Sequence, residues 1–288
     1  MLGKDIVCFK VGSGKNKILL HGGIHAREYI TTLFLLKEIK YLKQFYLSST
    51  FYIIPAVNLD GIKLVLKGKE KEKKESEFLK IFNDETDFSL LKSNANGVDL
   101  NTNFSAFWGT GKTNTTIPGF SNFIGNRPNS EPETASLIAF TRKIMPNLTI
   151  SYHAKGEVIY YDFLGLEKGF SAKQKTLAQT ISKFLKYKKQ KAKGSVGGYK
   201  DYCLLNLGIS SFTIEVGSDN FSHPFPISEL GIVFSQNKNL PLILQRLVWY
   251  GRKVYAKGNW VGKDCTKKGR CSNRCSYCQR WQNCFRKL

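Results

Sequence analysis

Apolar residues recur at three- to four-residue spacing through EYITTLFLLKEIKYLKQF (28–45), the period of an amphipathic helix. Ahead of it, MLGKDIVCFKVGSGKNKILLHGG (1–23) reads as a strand, a turn and a second strand, and STFYIIPAV (49–57) is a β-branched and aromatic run that predicts a buried strand. NLTISYHAKG (147–156) predicts a strand ending at His153, EVIYYDFL (157–164) another, and SSFTIEVG (210–217) a strand ending at Glu215. Between and after them lie helical patterns. NSEPETASLIAFTRKIM (129–145) opens on a cap signal and a proline, SAKQKTLAQTISKFLKY (171–187) follows, and NLPLILQRLVWYGRKV (239–254) closes the series. GVDLNTNFSAFWGTGKTNTTIPGFSNF (97–123) lacks either period and predicts a long ordered loop of the kind that carries function. GSVGGYKDY (194–202) predicts a glycine-bracketed loop, and the charged run KGKEKEKKESEFLK (67–80) a solvated loop or helix face. Strands alternating with helices predict an α/β fold with a sheet between helical layers. The composition changes near residue 258, which divides the chain into 1–258 and a basic, Cys-rich tail, 259–288.

Composition narrows the class. With 288 residues and 42% apolar content the chain is long enough for one large α/β domain. It has no apolar run long enough to span a bilayer, so no membrane span is expected. No signal-peptide pattern is visible at the start, which predicts a cytoplasmic protein, with an extracellular or wall-associated one left open. The net charge of +22, from 44 Lys and Arg against 22 Asp and Glu, attracts polyanions or reflects a lysine-rich proteome. No RNP-like motif, basic helix or basic-aromatic groove accompanies it, so nucleic acid is not an expected partner. Cys8 and Cys203 stand alone in apolar segments and read as small core residues.

The chemistry begins at HGGIHAREYI (21–30), which holds two of the four histidines. His25-x-x-Glu28 occurs by chance in many proteins. Here it follows an apolar run and a Gly-Gly turn, where α/β folds place their sites. Catalytic zinc takes three protein ligands and leaves one position open, so a third ligand is expected at another strand end. His153 fits, with a bonded core histidine as the alternative. Glu215 closes a hydrophobic strand, where a carboxylate must be paired or lie near a metal. It reads as a salt-bridged structural residue or as a general base.

GGIHAREYI, VNLDGI, GVDLNTNF, ISYHAKG, GGYKDY and FTIEVG resemble, in that order, the motifs of the M14 zinc metallocarboxypeptidases, from about residue 17 to 255. NSEPET, TISYHAKGE, GGYKDYC and SFTIEVG are most similar to the bacterial γ-D-glutamyl-meso-diaminopimelate peptidases, which cut cell-wall stem peptides. The resemblance implies a mixed, twisted β-sheet with helices on both faces and one catalytic Zn2+ at the strand ends. His25, Glu28 and His153 would hold the metal and Glu215 would act as base. Arg27 would contact substrate, Lys92 would stand roughly where the family places its oxyanion arginine, and Asn101 would bond a substrate carboxylate.

Two departures shape the expectation. The family's Asn-Arg pair is Asn101-Thr102 here, which brings no charge to a terminal carboxylate and argues against trimming of ordinary peptides. The family's mobile tyrosine falls near Lys193, with Tyr199 as the candidate replacement. Lys200 lies near the floor of the family's side-chain pocket, where it either favours an acidic group such as the second carboxylate of meso-diaminopimelate or points to solvent. The expected activity is hydrolysis of the γ-D-glutamyl–meso-diaminopimelate bond in peptidoglycan stem peptides or their fragments. The alternatives are a general carboxypeptidase, a small-amide deacylase, and a murein-peptide binding protein without turnover.

In the tail, Cys271, Cys275 and Cys278 have CxxxCxxC spacing, but ten residues after Cys278 cannot build the barrel a radical iron–sulfur enzyme needs. With Cys265 and Cys284 they supply ligands for a second, structural zinc; otherwise the tail is a flexible basic extension for anionic wall polymer or a partner. Neither the oligomeric state nor an endo or exo preference follows from the sequence.

Overall fold

A computed structural model describes residues 5–68, 81–82, 85, 87–162 and 166–257. Residues 69–80 of the charged run and all five tail cysteines, Cys265 to Cys284, lie outside the described residues, and so does the second zinc site expected there. Among the described residues, one compact unit ends at Gln245 and a second begins at Arg246.

The strands are β1 (Phe9–Val11), β2 (Asn16–His21), β3 (Ser49–Ile54), β4 (Leu148–Ala154), β5 (Val158–Tyr160), β6 (Lys188–Gln190) and β7 (Ser210–Val216). They form one seven-stranded sheet in the order β1-β3-β2-β4-β7-β5-β6. Strands β3, β2, β4 and β7 run parallel, β1 and β5 pair antiparallel at either side, and β6 runs parallel to β5. The sheet is therefore mixed. The near-continuous apolar runs of β2 and β4 are those of parallel strands covered on both faces.

The helices are α1 (Ile30–Leu42), α2 (Leu59–Lys67), α3 (Pro132–Ile144), α4 (Lys168–Leu185), α5 (Tyr199–Asn206), α6 (Leu230–Asn237) and α7 (Leu240–Lys257), and α1, α3, α4 and α5 supply that cover. On one face Phe34 of α1 meets Tyr152 of β4 edge to face at 4.9 Å. On the other, Leu19 of β2 is buried with Leu137 of α3 and with Tyr199, Tyr202 and Cys203 of α5. Each such apolar side chain contributes about 1.5–3 kcal/mol by leaving water. No helix among the described residues is long and apolar enough to cross a membrane.

Helix boundaries follow local chemistry. Pro132 opens α3 and Met145, at φ 44°, closes it. Asn58 caps α2 by accepting from the Gly61 N–H at 3.0 Å. The stretch expected as a loop over 194–202 is a loop only to Gly198. Gly197 turns at φ +84°, and α5 starts at Tyr199 with the Asp201 carboxylate accepting from the Gly198 N–H at 3.3 Å. The strand expected over 157–164 is pared to Val158–Tyr160, and β6, α2 and α6 carry too little periodicity to be read from sequence.

Glu38 lies on the buried side of α1, and neither carboxylate oxygen has a hydrogen-bond partner among the described residues. Burial pushes its carboxyl up to about 9, against the attraction of Lys238. The unfolded chain ionises this group near 4.5, so from there upward the folded state loses stability as pH rises toward about 9. Glu38→Gln is accordingly expected to raise the melting temperature at neutral pH, with a gap that vanishes below about pH 4 and levels off near pH 9. Thermal melts of both proteins across that range measure it. A gap independent of pH would mean that the carboxyl is not held neutral.

Candidate active site

Strand β2 is followed in sequence by β3 on one side of it and later joined by β4 on the other. The chain thus reverses direction across β2, and a crevice opens beyond the carboxyl ends of these strands. Into it leads the Gly22–Gly23 turn. Gly23 has φ +59°, and a Cβ there would sit 2.5 Å from Thr32 Oγ1, so only glycine fits. The Thr31 hydroxyl pins the turn by accepting from the Gly23 N–H at 2.9 Å and donating to the Glu28 carbonyl at 2.8 Å. A 3-10 turn, Ala26–Glu28, then sets His25 and Glu28 side by side.

Strand β4 delivers His153, which pairs in register with Glu215 of β7. Four side chains from three strand ends therefore meet. His25 Nδ1 is 2.8 Å from Glu28 Oε1, His153 Nδ1 is 3.1 Å from Glu28 Oε2, and the two Nδ1 atoms are 3.2 Å apart. The Ala154 N–H donates to Glu28 Oε2 at 3.2 Å, which keeps that carboxylate turned inward.

Among the described residues, His25, Glu28 and His153 are the group whose ligand atoms lie close enough to hold a metal ion, all within 4.8 Å of one another. Two neutral imidazoles and one carboxylate are the donor set of catalytic zinc. Both rings point Nδ1 inward, and each outer nitrogen is held. His25 Nε2 lies 3.2 Å from Asp99 Oδ1, and His153 Nε2 lies 3.1 Å from Ser151 Oγ. Such outer partners fix ring orientation and ligand basicity. The residues present thus fit zinc, in a site open on one side to a cavity of about 340 Å³.

The electrostatics are those of a buried charge cluster. Burial disfavours the charged form of His25, but the Glu28 carboxylate, with Asp99, outweighs it and raises the imidazole to about 9. Burial would raise Glu28, yet the His25 charge and the hydrogen bonds from both histidines hold it well below the usual carboxylate range. Burial lowers His153. Glu215 is pushed up to about 8 by burial and by the Glu28 charge, with His25, Lys92 and Arg27 pulling the other way. A divalent cation at the three ligands adds to that pull.

The remaining expected residues divide. Lys92, Asn101 and Lys200 line the cavity with His25, His153 and Glu215. The Lys92 backbone is fixed by accepting from the Ala26 N–H at 3.1 Å. Arg27 sits half-buried in the ligand turn itself. Lys193 stands exposed on the cavity lining, where the family's mobile tyrosine was expected. Tyr199 needs correction. It is wholly buried, packs edge to face on His21 at 4.5 Å and shares a hydrogen bond with Thr141 at 2.8 Å, so it is a core residue and does not reach the cavity. Thr102 turns its hydroxyl back onto the Asp99 carbonyl at 2.8 Å. Lys200 does not point to solvent. It is 5% exposed and ion-paired with Asp201.

Asp99 was not picked out from the sequence, although it lies inside GVDLN. Besides facing His25 it accepts from the Asn101 and Asn122 N–H groups, and its carboxyl is held well below the usual range despite burial, first by the His25 charge. A lone aspartate in an irregular loop carries no periodic signal. Asp99→Asn is expected to weaken zinc binding by about 10- to 100-fold. Competition with a chelator of known affinity measures this, and an unchanged affinity would reduce Asp99 to a loop-bracing residue.

A profile of the zinc carboxypeptidase family matches residues 2–238. Among curated proteins, the chain is 29% identical over 253 residues to gamma-D-glutamyl-L-diamino acid endopeptidase 1 of Lysinibacillus sphaericus, an alignment covering 82% of this chain and 63% of that protein. The chain therefore spans less than two thirds of that relative's length. Among solved structures, bovine thrombin-activatable fibrinolysis inhibitor in complex with tick carboxypeptidase inhibitor superposes with TM-score 0.62 at 21% identity, covering 85% of each chain. Murein-tripeptide amidase MpaA from Escherichia coli O157 superposes with TM-score 0.50 at 20% identity, covering 81% of this chain and 88% of that one. Both show the same fold.

Proposed function

The chain belongs to the zinc carboxypeptidase family and is a metallopeptidase, and on that premise we propose that it hydrolyses the γ-D-glutamyl–meso-diaminopimelate bond of peptidoglycan stem peptides or their fragments. The observation that carries this reading is the charge of the cavity. Lys92, Lys191, Lys193 and Lys200 line it against Glu215 and Asp201, the latter paired with Lys200, so lysines outnumber carboxylates there, while the position of the family's terminal-carboxylate arginine holds the uncharged Thr102, which is turned away. Such a cavity suits a substrate rich in carboxylates off its main chain more than an ordinary peptide C-terminus. The name of the Lysinibacillus relative gives a γ-D-glutamyl bond to an L-diamino acid, which supports a linkage of this class.

When bound by His25, Glu28 and His153, zinc polarises the scissile carbonyl and acidifies water beside it. The chain's own residues do the rest. Glu215, paired in register with His153, accepts the proton of the attacking water and returns it to the departing amine. Lys92 places a cation where negative charge develops on the carbonyl oxygen. Asp99 and Ser151 hold the imidazoles in one orientation. A binding protein without turnover has no use for Glu215 beside an intact ligand set. Trimming of ordinary C-termini is disfavoured by Thr102.

The test is incubation of the zinc-loaded chain with L-Ala-γ-D-Glu-meso-diaminopimelate. The expected products are L-Ala-D-Glu and free meso-diaminopimelate. Equal cleavage of the α-linked isomer, or none of the γ-linked peptide with zinc bound, overturns the reading.

A further inference from the structure

Between Lys168 and Lys193 the chain carries nine lysines and no Asp or Glu. The whole chain holds 22 acids against 44 basic residues, so an even enrichment in lysine would leave acids within this segment as well. The fold gathers the segment at one sheet edge, where β6 is the last strand and α4 packs on β5, β6 and β7. Lys168, Lys175 and Lys183 lie on the exposed side of α4, away from its buried Leu177, Ile181 and Leu185. Lys186 and Lys188 are exposed at the turn into β6 and on it, and Lys191 and Lys193 follow, exposed and lining the catalytic cavity. The flanking acids do not offset this charge. Asp162 is buried and pairs with Lys191, and Glu167 caps α4 by accepting from the Gly169 and Phe170 N–H groups. We propose that the α4–β6 edge is a docking surface for intact peptidoglycan, held through the carboxylates of stem peptides that neighbour the one being cut. The inference rests on the reaction proposed above and adds that the chain works on the polymer, beyond freed fragments.

Local stability does not explain the charge. Lysines on an edge strand guard it against pairing with another chain, which accounts for Lys188 and Lys189 on β6 but not for the lysines of α4. A helix gains from acids placed three or four residues from its lysines, and α4 has none. Lys168 also opens α4, where a cation opposes the helix dipole. Continuity with the cavity points to the occupant. Lys191 and Lys193 belong both to the basic edge and to the cavity lining, so a chain lying on the edge reaches the reacting atoms. A polyanion unrelated to the substrate would occupy the same two lysines and obstruct the cavity. The substrate's own network instead brings the scissile peptide with it. Lysines, as point charges on flexible stems, suit carboxylates that arrive at irregular spacing.

The experiment combines Lys168→Gln, Lys175→Gln, Lys183→Gln and Lys188→Gln in one zinc-loaded variant, which leaves every lysine of the cavity in place. Parent and variant are compared on L-Ala-γ-D-Glu-meso-diaminopimelate and on peptidoglycan freed of phosphate polymers. On the small peptide kcat/KM should agree within about twofold, because solvent screens these exposed charges from the metal site. On the polymer the variant should be slower by on the order of 10-fold at low salt. The two should converge at about 1 M salt, where the screening length is about 3 Å. Co-sedimentation of the zinc-loaded Glu215→Gln chain with the same polymer reads binding without turnover. It should weaken with the four substitutions and after the polymer's carboxylates are amidated. Equal binding and cleavage of the polymer by parent and variant overturns the inference, and so do equal losses on peptide and polymer. Sedimentation only with walls that keep their phosphate polymers, or tighter binding to single-stranded RNA, would assign the edge to another polyanion and overturn it too. Cleavage of the peptide without binding to the polymer overturns the docking surface and leaves the proposed reaction standing. Carboxylate-dependent binding without cleavage of the peptide, with zinc bound, overturns the reaction and keeps the surface.

Discussion

Replacing Glu215 with Gln is expected to lower kcat by on the order of 10^3-fold or more, with KM nearly unchanged. The amide keeps the size of the carboxylate and its hydrogen-bonding reach but cannot accept the proton of the attacking water. Structural damage is not expected. Glu215 is half-buried at a strand end, and its carboxyl is pushed up to about 8 by burial and the Glu28 charge, so a neutral side chain relieves that tension. The metal-free variant should melt no lower than the parent at neutral pH, because a group raised in the folded state loses stability for the parent above its unfolded value. Steady-state kinetics beside zinc content and a melt read all three quantities. Activity within about tenfold of wild type would move the base elsewhere. Loss of zinc together with activity would make Glu215 a structural member of the site.

The second large effect is on the metal. His153→Ala removes a ligand and leaves the Glu28 carboxylate without one of its two histidine partners. Zinc should fall from one equivalent to none, and turnover should fall below detection. Zinc at about 1,000 times its dissociation constant should stabilise the wild type by roughly 4 kcal/mol and leave the variant unmoved. Chelation of the wild type should reproduce both losses, and returning zinc should restore them. The metal-free variant should itself be less stable than the metal-free parent, since His153 is 2% exposed and bonded to Ser151. A variant that still bound one equivalent would show that the ligand set is drawn wrongly.

Much of this site was legible in the chain because its parts ride on regular elements. His25 and Glu28 follow a strand and a Gly-Gly turn, and His153 and Glu215 close apolar strands, so local pattern and residue type together mark them. The metal set and the parallel core of the sheet follow from such short-range signals. Asp99 was not legible. Its role depends on a loop carrying it back to within 3.2 Å of His25, across 74 residues, and no local pattern encodes that approach.

The sequence by itself determined most of the segments that become strands and helices, though not β6, α2, α6 or the start of α5, and that two histidines and two carboxylates stand at strand ends. Periodicity and turn chemistry act within a few residues, and burial of one face fixes the register. Only the tertiary structure decided between Tyr199 and Lys200. They are neighbours in the chain and in one helical turn, yet each step along a helix rotates the side chain by about 100°. That rotation sends Tyr199 into the core against His21 and Thr141 and turns Lys200, with Asp201, toward the cavity. The direction a side chain faces depends on where its helix docks, and docking is set by contacts from the whole chain.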